Sequence, residues 1–132
     1  MIHVLLVEDD ETNRKLLVEI LEFAGHRVCA ASSGREAIAL ATERRPDVIV
    51  MDVNLPELDG LSATRLLRAQ PATRAIPVLA VTGLAMRGDS ERIRAAGCDG
   101  YLAKPISYRD LLAAVAALAA GRPMPDLGRR RR

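Results

Sequence analysis

Pro46-Asp47-Val48-Ile49-Val50-Met51-Asp52-Val53-Asn54-Leu55-Pro56 is the stretch on which the reading of this chain turns. Val48 to Met51 form an unbroken apolar run that ends on an aspartate. A run that short, with no polar alternation, suits a strand covered on both faces, as in a parallel sheet. The same pattern recurs on either side: Val4 to Val7 and Val28 to Ala31 before it, Val78 to Val81 and Tyr101 to Ala103 after it.

The segments between these runs have helical spacing. Leu16, Leu17, Ile20, Leu21 and Ala24 make one apolar stripe, and Gly25 stands just past its end as a C-cap. Ser33 with Glu36 three residues on is a capping-box pattern ahead of Ala37, Ile38, Leu40 and Ala41. Leu61, Leu66 and Leu67 mark a third helix after Asp59-Gly60, and Ile93 with Ala96 a shorter fourth, closed by Gly97. Ser107 is the expected cap of a fifth, with Leu111, Leu112, Val115 and Leu118 on its buried face.

Strands alternating with helices imply a parallel sheet with helices on both faces and right-handed crossovers. Five such units in about 120 residues predict an α/β doubly wound fold of the flavodoxin-like type, with strand order 2-1-3-4-5. Ligands of such sheets bind at the carboxyl ends of the strands where the order reverses, here between strands 1 and 3.

Composition agrees with one globular domain. The 132 residues are 49% apolar, and Phe23, Tyr101 and Tyr108 are the only aromatics, so the core is expected to be aliphatic. Cys29 and Cys98 lack metal-ligand spacing and read as thiols in a reducing compartment. The chain opens directly on Ile2-His3-Val4-Leu5-Leu6-Val7, without a charged leader or a long apolar span, so a cytoplasmic protein with no membrane insertion is expected. The net charge of +2 comes from residues 121–132, where five arginines face one aspartate, whereas the body is mildly acidic.

The polar residues at the predicted sheet edge carry the chemistry. Glu8 and Asp9 follow strand 1, Asp52 ends strand 3, Thr82 ends strand 4, and Lys104, followed by Pro105, ends strand 5. Two bare charges about 4 Å apart repel by roughly 1 kcal/mol in water and about 4 kcal/mol near a protein surface. A bound hard cation removes that penalty, and oxygen donors in small number favour Mg2+, with Mn2+ a second ion for the same donors. A carboxylate beside such a cation, a lysine and a hydroxyl has the parts for phosphoryl transfer, with aspartate as nucleophile. Asp10 reads as a helix cap. His3 and His26 have no partner at catalytic spacing, and no glycine-rich nucleotide loop is present.

These residues, in this order, bring a family into view. Val4-Leu5-Leu6-Val7-Glu8-Asp9-Asp10, Pro46 to Pro56, Asp59-Gly60, Pro77-Val78-Leu79-Ala80-Val81-Thr82, and Gly97 through Lys104-Pro105 resemble bacterial response-regulator receiver domains over residues 1–120. The resemblance implies that Asp52 is the phosphoacceptor. It implies that Glu8 and Asp9 are the acidic pair at Mg2+, with Asp9 the direct ligand, and that Asn54 ligates through its backbone carbonyl. Lys104 matches the lysine that contacts phosphoryl oxygens, Thr82 the switch hydroxyl and Tyr101 the switch aromatic. Pro105 follows a peptide bond that is often cis in the family. Glu8 departs from the aspartate of many members.

The resemblance implies a stand-alone response regulator phosphorylated by a sensor histidine kinase or a histidine phosphotransfer protein and read by a downstream effector protein. Drawing Thr82 to the phosphoryl group would move the loop Gly83 to Gly88 and let Tyr101 turn inward. Self-catalysed phosphorylation and dephosphorylation, without a turned-over substrate, is the expected chemistry. Residues 121–132 read as a flexible basic tail, too short for a DNA-binding domain, which argues against nucleic acid as a partner. Three other readings are weighed: an aspartate-nucleophile phosphatase, which would want an acid where Asn54 stands; a flavodoxin-like electron carrier, which would want flavin-stacking aromatics; and a pseudo-receiver, weakened by the complete site.

Overall fold

In the computed structural model, which describes residues 2–83 and 89–124, all five apolar runs are strands of one parallel sheet. β1 (His3–Val7), β2 (Arg27–Ala31), β3 (Val48–Asp52), β4 (Val78–Thr82) and β5 (Gly100–Ala103) lie in the order β2-β1-β3-β4-β5. Between and after them run α1 (Glu11–Phe23), α2 (Gly34–Arg44), α3 (Gly60–Ala69), α4 (Asp89–Ala95) and α5 (Tyr108–Ala119). The doubly wound order predicted from the alternation is the one observed.

Successive side chains of each strand face opposite ways, and the core divides accordingly. Leu5, Val7, Ile49, Met51, Val78 and Ala80 pack with α2, α3 and α4, while Val4, Leu6, Val48, Val50, Leu79 and Val81 pack with α1 and α5. β3 and β4 are buried along their whole length. Two-sided burial is why these runs show no polar alternation.

The helices start where the strands end, and each of four has a side-chain cap. Asp10 accepts the Asn13 N–H at 2.9 Å, Asp59 the Ser62 N–H at 2.8 Å, Ser33 the Glu36 N–H at 3.1 Å and Ser107 the Asp110 N–H at 3.3 Å. Gly25 and Gly97 follow α1 and α4 with φ of +98° and +105°, a backbone region open to glycine.

Three local expectations are corrected. The Glu36 carboxylate does not close a capping box on Ser33; it accepts the Ser32 N–H and hydroxyl instead, one residue earlier. Leu16 and Leu66, read as buried stripe residues, are exposed, because α1 and α3 cover the sheet through narrower faces centred on Leu17 and Leu21 and on Leu61 and Leu67. Leu112 is only half-buried, and Ala114 and Ala117 share the buried face of α5 instead.

The segment after α5 continues along the body as far as it is described. Met124 packs against the α1/α5 side of the core, and its Sδ lies over Gly100 at the start of β5. Residues 84–88 of the expected switch loop, and residues 125–132 with the four terminal arginines, lie outside the described residues. No helix among the described residues is long and apolar enough to cross a membrane.

Candidate functional site

Parallel pairing brings the strand ends to one rim. Val7 pairs with Met51 and Asp52 with Val81, so the residues just beyond β1 and the last residues of β3 and β4 emerge side by side. Thr82 pairs with Ala103, and its carbonyl accepts the Lys104 N–H at 2.8 Å, which adds Lys104 to the same edge. Strand order thus converts four separated sequence motifs into one polar cluster.

At its centre the Glu8, Asp9 and Asp52 carboxylates have oxygens all within 4.8 Å of one another. Glu8 and Asp52 are buried and Asp9 is exposed. Asp52 is held from both sides: one oxygen accepts the Asn54 N–H at 2.9 Å, the other lies 3.2 Å from the Lys104 ammonium. Lys104 also lies 3.8 Å from Glu8. Lys104 therefore serves two of the three carboxylates, and Asp9 has no cation paired to it among the described residues. Burial pushes the Glu8 carboxyl up to about 7; the Asp52 charge adds to the rise, and the Asp10 N–H and Lys104 act against it. That is an excess of negative charge held in place by the fold, the condition a hard cation relieves.

Two backbone details fix Asp52. A Cβ on Gly60 would come within 2.2 Å of the Asp52 carbonyl oxygen and 2.9 Å of the Val53 Cα. Only glycine lets the start of α3 close this tightly on the end of β3, where the Gly60 N–H bonds to the Val53 carbonyl at 3.0 Å. Glu57, in the same loop, adopts φ of +65° without being glycine.

The remaining residues singled out from sequence fall as follows. Thr82 is buried at the end of β4 beside the cluster. Tyr101 lies farther back on β5, paired with Ala80 and half-buried against the α2/α3/α4 side of the core. The Lys104–Pro105 peptide is cis. Asp10 caps α1, as read, and Tyr108 opens α5 half exposed. His3 is exposed at the opposite end of β1, and His26 lies in the turn before β2, where its Nδ1 is buried without a partner among the described residues. Both cysteines are free; burial pushes the Cys98 thiol up, away from reactivity.

Sequence reading passed over Arg14, whose guanidinium reaches the carbonyls of Glu8 and Asp9. It placed Asp59-Gly60 just ahead of the third helix and among the stretches that resemble receiver domains, but gave Gly60 no contact with Asp52.

With this geometry in hand, comparison with known proteins is direct. Residues 4–116 match the response regulator receiver domain family. The polar-differentiation response regulator DivK of Brucella anthropi is 49% identical over 104 residues, which make up 79% of this chain and 85% of that protein. Among solved structures, the receiver domain of the sensor histidine kinase PA1611 from Pseudomonas aeruginosa PAO1, with a magnesium ion coordinated in its active-site cleft, has a TM-score of 0.84 at 39% identity and covers 90% of this chain and 98% of that one. The chemotaxis protein CheY4 of Vibrio cholerae has a TM-score of 0.84 at 33% identity, covering 89% of this chain and 98% of its own. Sheet order, the acidic rim and relatedness over most of the chain lead to one assignment: the protein belongs to the response regulator receiver domain family.

Proposed function

We propose that Asp52 accepts a phosphoryl group from the phosphohistidine of a sensor histidine kinase or a histidine phosphotransfer protein, and that the phosphorylated form signals by binding an effector protein. One observation carries this reading. The Asp52 carboxylate is buried at the rim, held between the Asn54 N–H and Lys104, with Glu8 and Asp9 within cation-sharing distance.

The donor set fits Mg2+, and Mn2+ by the same chemistry: oxygen donors only, two buried and one exposed at the rim, with Lys104 the cation paired to the buried two among the described residues. Glu8, Asp9, Asp52 and the Asn54 carbonyl would hold the ion. Bound there, it supplies positive charge to the phosphoryl oxygens. In the transfer the phosphorus–nitrogen bond of phosphohistidine breaks, a bond from an Asp52 oxygen to phosphorus forms, and the imidazole leaves with the electron pair. Lys104 already rests on Asp52, so a short movement carries its ammonium onto the new phosphoryl oxygens. Asn54, whose side chain is exposed at the rim, offers no acid for turnover of phosphoester substrates. The domain acts on itself, as acceptor and then in hydrolysis of its own acyl phosphate.

Phosphorylation adds close to two negative charges and three strong acceptors at the rim. Thr82, buried at the end of the neighbouring strand, is the hydroxyl that answers that change, and Tyr101 on β5 is the aromatic that follows it. Moving the balance of two states from 1:99 to 99:1 takes about 5.5 kcal/mol. A few charge-assisted hydrogen bonds, at about 1.5–3 kcal/mol each, supply that. The cytoplasm, where such kinases present their phosphohistidine, is the compartment this function requires.

The test is incubation with acetyl phosphate, with and without Mg2+, read by intact mass. The expected result is a single added phosphoryl group that depends on Mg2+ and is absent in Asp52→Ala. Labelling that persists in Asp52→Ala, or that ignores Mg2+, overturns the reading.

A further inference from the structure

Arg14 stands on the first turn of α1, half-buried, just after the Glu8-Asp9 pair of the carboxylate cluster, in which Lys104 is the paired cation among the described residues. Yet it makes no ion pair among the described residues. Its Nη1 donates instead to two successive backbone carbonyls, that of Glu8 at 2.9 Å and that of Asp9 at 3.4 Å. These are the peptide oxygens of the two residues that bring the acidic pair to the rim.

The other fastenings of this loop leave Asp9 loose. The Glu8 N–H bonds to the Ala31 carbonyl at 3.0 Å, tying Glu8 to the end of β2. The Asp10 N–H bonds to the Glu8 carboxylate at 3.1 Å, and Asp10 caps α1. Asp9, between them, has an exposed side chain with no hydrogen bond among the described residues. We infer that Arg14 is a positioning residue for the cation site: by gripping the Glu8 and Asp9 carbonyls it sets the β1–α1 loop so that both carboxylates point at Asp52. Outer groups that orient ligands commonly change metal affinity by about 10–100-fold when removed.

The inference rests on the Mg2+-dependent reading above, and charge makes it sharply testable. A guanidinium this near the site repels a divalent cation. If Arg14 acted only through its charge, neutralising it would tighten Mg2+ binding. If it acts by holding the loop, neutralising it weakens binding, against the electrostatic trend.

The experiment is a Mg2+ titration of the full chain by calorimetry, for wild type, Arg14→Met and Arg14→Lys, with the metal-free melting point of each as a check on folding. Arg14→Met is expected to weaken Mg2+ by about tenfold. Arg14→Lys, which keeps one donor to the carbonyls, is expected to recover part of that loss. Labelling by acetyl phosphate should lose more at limiting than at saturating Mg2+, which general destabilisation would not produce. Unchanged or tighter Mg2+ binding in Arg14→Met overturns the inference and leaves the functional reading intact. A wild-type protein that does not bind Mg2+ overturns both. Should Arg14→Met melt below the titration temperature, Arg14→Gln decides instead: its neutral side chain is two bonds too short to place a donor where Nη1 sits, and wild-type or tighter affinity with an intact fold contradicts the proposal.

Discussion

The two ends of the sheet treat charge in opposite ways. At the amino-terminal end of β4 and β5, Arg68 donates through Nε to the Gly97 carbonyl at 2.9 Å and through Nη1 to the carbonyls of Ile76 at 2.7 Å and Arg74 at 3.1 Å. Its Nη2 meets the Asp99 carboxylate at 2.8 Å, and that same oxygen accepts the Val78 N–H at 2.9 Å. The cation has acceptors in every direction, and the anion has donors. At the carboxyl-terminal end, Glu8 and Asp52 share Lys104, Asp9 has no ion pair among the described residues, and the Glu8 carboxyl is pushed up to about 7 by burial. Satisfied charge fastens a fold; unsatisfied charge, held by a rigid frame, waits for a ligand.

If that contrast is right, mutations at the two ends move stability in opposite directions. Arg68→Ala should destabilise by about 2–4 kcal/mol in chemical unfolding, because it strands three carbonyls and a carboxylate at once. Mg2+ affinity should stay near wild type, since the clasp lies at the far end of the strands. Equal loss of stability and of Mg2+ binding would erase the distinction between the two ends.

The pH dependence comes next in size. Glu8 has a folded pKa of about 7 against an ordinary value of 4.5, so the folded state binds its proton more tightly than the unfolded state does. A raised carboxyl contributes no penalty below pH 4.5, and the metal-free fold loses stability as pH climbs from there through 7. The loss is at most about 3.4 kcal/mol. Denaturant unfolding at several pH values should show this decline, flattened in Glu8→Gln and offset by saturating Mg2+. A flat profile in the metal-free wild type contradicts it.

Asp52→Asn should raise metal-free stability at pH 8 by about 1 kcal/mol, since removing one of several like charges outweighs the lost Lys104 contact, while phosphoryl labelling disappears. A clear destabilisation would place Asp52 among the satisfied charges. The smallest change is expected from Glu57→Gly. Its φ of +65° costs an L-residue about 1 kcal/mol or more, partly offset by the flexibility glycine adds to the unfolded chain. A gain of about 0.5 kcal/mol with normal labelling is the expected outcome.

What could be read from the sequence follows from how each signal is written there. Val48 to Met51 and Val78 to Val81 announce themselves because a central strand covered on both faces admits no polar residue. Glu8, Asp9, Asp52, Thr82 and Lys104 were found because parallel strands end on one rim, so a polar residue after each apolar run is already a statement about space. Helix faces were harder. Leu16 and Leu66 have the right spacing for burial, but only packing decides how wide a face the sheet covers. Arg14, Arg68 and Gly60 were illegible for a shared reason. Each acts on main-chain atoms, Arg68 across 29 residues to Gly97 and Gly60 against the Asp52 carbonyl, and backbone partners leave no mark in residue type. The switch roles proposed for Thr82 and Tyr101 concern a change between states, which neither composition nor a single conformation encodes.

Crystals soaked in Mn2+ and measured at the manganese absorption edge would address the cation site itself. One anomalous peak is predicted in the cluster, within ligand distance of Asp9, Asp52 and the Asn54 carbonyl, and absent from Asp52→Asn crystals. Strong peaks elsewhere with none in that cluster would contradict the account.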